Sequence, residues 1–138
     1  SRHIETAVAV AALRSFTELA KMDHLVFKFE VYKVFMGASQ KRPEDFAVHT
    51  SCRLGKWYYE GEGRECFSLL DGYRALEAPH INVHKSGKEA LERLRLGDFD
   101  GGVALLEHME AASEEVLDCL ERMAQAGEQS PDVLCLEH

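Results

Sequence analysis

One thiol and three imidazoles in this chain have the types and spacing for metal chemistry: His24, Cys52, His80 and His84. Cys52 lies in the stretch His49-Thr50-Ser51-Cys52-Arg53-Leu54-Gly55-Lys56-Trp57. His80 and His84 stand four apart, so on a helix their side chains share one face. His24 is isolated within an apolar run. A thiolate and three imidazole nitrogens complete the tetrahedral shell of zinc, with bonds of about 2.3 Å to sulfur and about 2.0 Å to nitrogen. Filling all four positions with protein leaves no place for an activated water. Such a centre is structural or a switch, and the chain reads as a non-enzyme. A zinc hydrolase ranks last, because no carboxylate accompanies the His80/His84 pair in the pattern of a metalloprotease helix.

Each residue also has a plainer role. A lone histidine on an apolar face is usually a core residue with its hydrogen bonds met, and paired histidines occur on surfaces. A lone cysteine packs as a small apolar group. His49, three before Cys52, competes as a ligand and is assigned to the border of the site or to the surface. Nothing argues for His3 or His108, and Cys66, Cys119 and Cys135 have no partner in the pattern. Gly55 is expected to permit close helix approach and Trp57 to anchor its helix.

Four helical segments must position the donors. The first runs from about Ile4 to Met36, roughly 50 Å, with Leu13, Thr17, Ala20, His24, Phe27, Val31 and Phe35 on one face. The second starts at Pro43, whose fixed φ suits a first helical position, and reaches about Tyr59. The third covers about Phe67 to Leu96, with a kink or break expected at Pro79. The fourth carries Leu106, Met109, Ser113, Val116, Leu120 and Met123 and ends near Gly127. Short turns between them predict an all-α, antiparallel four-helix bundle with a long N-terminal helix. His24 lies about 20 Å before the first turn and Cys52 about 14 Å after the restart, so antiparallel helices bring both to one level.

At 138 residues, with 46% hydrophobic content, the chain suits one domain with a real core. The net charge of −8 argues against nucleic acid or an anionic membrane as partner. Lys28, Glu30 and Lys33 interrupt the longest apolar run, so nothing here spans a bilayer. Four scattered cysteines do not make a disulfide framework, and cytoplasmic residence is the expectation. Ser1 at the start and Leu136-Glu137-His138 at the end read as an excised domain with a tag remnant. Residues 1–20 are then expected to continue an upstream helix of the parent protein, and 128–138 to form a flexible tail.

The order of a helical histidine, Cys-x-x-Gly-Lys-Trp-Tyr and His-x-x-x-His resembles the chemoreceptor zinc-binding domain family over about residues 20–95. The family's ligands fall on His24, Cys52, His80 and His84, and its motif glycine and tryptophan on Gly55 and Trp57. The resemblance implies one zinc ion per chain and a small helical bundle, often a homodimer. It implies attachment to the signalling domain of a soluble methyl-accepting chemotaxis protein, or to a diguanylate cyclase. It further implies a sensory role in which zinc occupancy, or oxidation of the ligand cysteine, changes signalling output. Loss of metal as the imidazoles protonate is also expected. The alternative is a structural zinc staple in a dimerisation module without a sensing role.

Overall fold

The computed structural model describes residues 1–134. Cys135 and the Leu136-Glu137-His138 end, read above as tail and tag remnant, lie outside the described residues. Helix α1 spans Arg2–Phe35. Ser1 caps its start by accepting from the Ile4 amide, and Gly37 at φ 77° ends it. Leu13, Thr17, Ala20, His24 and Val31 are its buried positions. These recur at helical steps, so one continuous stripe faces the core.

The expected second helix from Pro43 to Tyr59 is mostly absent. Pro43–Asp45 form a single 3₁₀ turn, and regular helix resumes only at α2, Arg53–Tyr59. The side chains between explain the gap. The Ser51 hydroxyl accepts from the Val48 amide at 3.1 Å and so competes with helical pairing. Cys52 then caps α2, its sulfur accepting from the Gly55 amide at 3.4 Å.

A short helix α3, Glu62–Cys66, follows. Trp57 stacks on Phe16 at 4.5 Å and on Phe67 at 5.8 Å, which fastens α2 to α1 and to the segment after α3. Gly63 fits beneath it, since a Cβ there would stand 2.5 Å from the indole.

Helix α4, Tyr73–Arg95, begins after Gly72, whose φ of 97° breaks the run expected from Phe67. It passes through Pro79 without the break that the sequence allowed there. Proline deprives the helix of one bond, to the Ala75 carbonyl. Ala75 and Pro79 line an open cleft, so solvent can meet that loss. Gly97, at φ 81°, turns the chain into α5, Phe99–Gln129, capped by Asp98. After α5, Pro131–Val133 make another 3₁₀ turn and Leu134 is buried beside Gly127.

The chain is therefore all-helical, with three long and two short helices among the described residues. It differs from four long helices in its second member, which is only seven residues long. The helix directions are those of an alternating set: Arg14 and Lys21 pair with Glu121, and Lys28 with Glu110, so α1 opposes α5. His24 meets His80 and Phe27 meets His84, so α1 and α4 run in the same direction. The core between them holds Leu76, Val83, Met109, Val116 and Leu120. Among the described residues, no helix is long and apolar enough to cross a membrane.

Candidate metal centre

Three histidines meet where α1 and α4 touch. His24 comes from α1, and His80 and His84 from successive turns of one face of α4. Their ligating atoms all lie within 4.8 Å of one another. The rings are 3%, 1% and 4% exposed, so water cannot satisfy them. Cys52, half-buried at the start of α2, stands beside this three-histidine group, its Sγ 3.3 Å from His80 Nε2.

Two backbone carbonyls set the imidazole tautomers. A carbonyl only accepts, so the proton facing it must sit on the ring. His24 Nδ1–H donates to Ala20 O at 2.9 Å, and His84 Nδ1–H donates to Ala47 O at 2.8 Å. Each ring is left with its lone pair on Nε2. Both Nε2 atoms are buried without a hydrogen-bond partner among the described residues. An orphaned buried acceptor costs about 1–3 kcal/mol, so two in one cluster require an explanation. A bound cation supplies it, and carbonyl-oriented imidazoles are the usual form of histidine ligands.

The electrostatics agree. Burial is the main force lowering all three histidines, driving His80 down to about 2 and His84 down to about 4. The rings stay neutral at physiological pH, which is the ligating state. Burial likewise pushes the Cys52 thiol up, against the opposing pull of the Gly55 and Leu54 amides. The metal-free thiol is therefore protonated, and a zinc ion must displace that proton. Three neutral nitrogens and one sulfur suit zinc, whose tetrahedral bonds space the nitrogens roughly 3.3 Å apart.

The remaining polar residues fall around this cluster or away from it. His49 is half-buried, its ring 6.0 Å from that of His80 and 5.9 Å from that of Tyr59. Its carbonyl packs against Gly55, where a Cβ would stand 2.9 Å from the carbonyl carbon and 3.0 Å from Thr50 Cα. Gly55 thus serves a tight loop-to-helix contact that holds Cys52. His3 and His108 are exposed, and Cys66 and Cys119 lie outside the cluster. Sequence reasoning missed the carbonyls of Ala20 and Ala47. Ala20, four residues before His24, was within reach of a helical argument; Ala47 carries no signal in the sequence.

A second clasp fixes the far end of α2. Tyr58 donates to the Tyr73 carbonyl at 2.8 Å, Tyr73 donates to that of Tyr58, and the rings stack at 4.1 Å. The Cys52 end of α2 is therefore held by the loop contact, and the other end by α4.

Comparison with protein families matches residues 24–91 to the chemoreceptor zinc-binding domain. Neither the curated proteins nor the solved structures return a match. The matched stretch opens on His24 and encloses Cys52, His80 and His84. Through these residues the chain belongs to the chemoreceptor zinc-binding domain family.

Proposed function

We propose that this is a zinc-responsive sensory domain of a cytoplasmic bacterial chemoreceptor, holding one zinc ion per chain on His24, Cys52, His80 and His84. The observation that carries the reading is the pair of buried, carbonyl-oriented imidazoles whose Nε2 lone pairs have no protein partner. Its role is regulatory and not catalytic, since four protein donors leave no open position on the metal. When bound, zinc draws α1, α4 and the start of α2 together. Release frees the Cys52 end of α2 while the Tyr58–Tyr73 clasp holds the other end. The resulting movement bears on α1 and, through it, on the signalling domain of a methyl-accepting chemotaxis protein or a diguanylate cyclase.

Oxidation of Cys52 is the second input. Its thiolate reacts with hypochlorous acid to give the sulfenic acid and chloride: sulfur loses two electrons, chlorine gains them, and the hydroxyl oxygen ends on sulfur. A sulfenic acid is a poorer ligand than a thiolate, so zinc is lost. The domain works as a homodimer through the outer face of α1, where Ile4, Val8 and Met22 are all more than half exposed. Such a stripe on a soluble helix calls for a partner.

Metal analysis tests the reading. It requires one zinc per chain in the native protein, lost in Cys52→Ala and His84→Ala. Hypochlorite must release zinc faster than peroxide, with Cys52 modified before Cys66 or Cys119. Metal-free native protein sinks the proposal, and zinc held far below cellular free-zinc levels and inert to oxidant makes the site a structural staple.

A further inference from the structure

A cleft of about 210 Å³ opens between α1 and the segment running from the 3₁₀ turn into α2. Val26, Phe27, Phe46 and Leu54 line it, and His24, Cys52 and His84 also form part of its lining. His80, the most buried of the histidines, does not. Clefts elsewhere, around Leu69, Pro79 and Val10, touch none of these residues. The volume is roughly seven times the ~30 Å³ share of a liquid water, so a dication and its hydration shell fit. Asp23 on α1 and Arg53 on α2 also line the cleft and pair at 3.3 Å, joining its two walls.

Building on the zinc reading above, we infer that this cleft is the port through which metal reaches and leaves the cluster, and that the Asp23–Arg53 pair is its latch. Of the three clustered histidines, the two that line it, His24 and His84, are those whose buried Nε2 atoms have no hydrogen-bond partner among the described residues. The apolar walls strip the hydration shell as the donors replace it. Arg53 immediately follows Cys52, so opening the latch and loosening the thiol donor involve the same first turn of α2. A port acts on the barrier alone and changes both rates by one factor.

The test is rapid mixing of metal-free protein with zinc, and of loaded protein with excess chelator, following zinc by an indicator dye. Val26→Trp narrows the cleft from an exposed position. It should slow uptake and release alike, by about tenfold or more, with equilibrium affinity kept within about threefold. Arg53→Gln should speed both by about threefold or more; lost positive charge alone would speed uptake and slow release. Leu96→Trp, at a more exposed position outside the cleft, should match the native rates. Unchanged rates in both cleft variants overturn the port while leaving the zinc reading intact. If Val26→Trp fails to fold, Arg53→Gln decides alone, and any result but acceleration of both rates overturns the latch. A native protein that takes up no zinc at equilibrium defeats both readings.

Discussion

Replacing Gly55 by alanine sets a local preference against a tertiary contact. Glycine is worth about 1 kcal/mol less than alanine inside a helix, so on propensity alone the change should stabilise α2. The structure reverses the sign. The new Cβ would fall inside the contact distance of the His49 carbonyl oxygen, 2.9 Å from its carbon and 3.0 Å from Thr50 Cα. All three are backbone atoms, so no rotamer change relieves them. The loop must retreat from α2 by on the order of 1 Å, and overpacking of this kind costs about 1–3 kcal/mol. The loop carries both Cys52 and the Ala47 carbonyl that orients His84. A donor misplaced by about 1 Å loses on the order of a hundredfold in function. The expectation is a lower melting temperature without metal and a zinc affinity down by about a hundredfold. Thermal melts and competition against a chelator of known affinity measure both. An alanine variant as stable as the native protein, binding zinc within about threefold of it, refutes the reasoning.

Zinc affinity should fall about tenfold per pH unit from roughly pH 8 to 6.5, since the Cys52 proton is displaced while burial holds the three histidines below their ordinary range and so neutral there. A slope steepening toward four protons just below pH 6.5 would show ordinary histidines instead. Metal-free protein should lose stability in acid. The folded-state values of the three histidines lie below their unfolded value near 6.5, so below that pH the unfolded chain binds more protons. Stability is then level above about pH 7 and falls by up to about 1.4 kcal/mol per histidine per unit below it, read from denaturation midpoints. A midpoint that rises on acidification contradicts the burial of these rings. Tyr58→Phe and Tyr73→Phe each remove one bond to a backbone carbonyl and should cost about 1–3 kcal/mol. The double variant should cost less than the sum, because the two bonds share one stacked pair; strict additivity counts against a joint clasp.

The meeting of His24, His80 and His84 was readable because metal chemistry restricts residue types. Histidine and cysteine are few, and His80 and His84 reveal their shared face by spacing alone. The long α1 and α5 were equally legible, since Gly37 and Gly97 punctuate clear helical periods. The second helix was overread for an identifiable reason. Pro43 followed by acidic residues looks like a helix start, yet Ser51 and Cys52 spend their side chains on the backbone and postpone the helix to Arg53. Pro79 was overread in the other direction, because the pattern does not show that Ala75 faces an open cleft. The parallel course of α1 and α4 follows from alternation, since the first and third of four alternating helices run the same way, and ion pairs from Arg14, Lys21 and Lys28 hold α1 against α5. The carbonyls that orient His24 and His84 carry no residue-specific signal, since every residue has one.

X-ray absorption at the zinc edge of the loaded protein bears most directly on the proposed centre. One sulfur at about 2.3 Å and three nitrogens at about 2.0 Å are expected, with the sulfur shell missing in Cys52→Ala. A shell of nitrogen and oxygen only, or a sulfur that persists in that variant, contradicts the account.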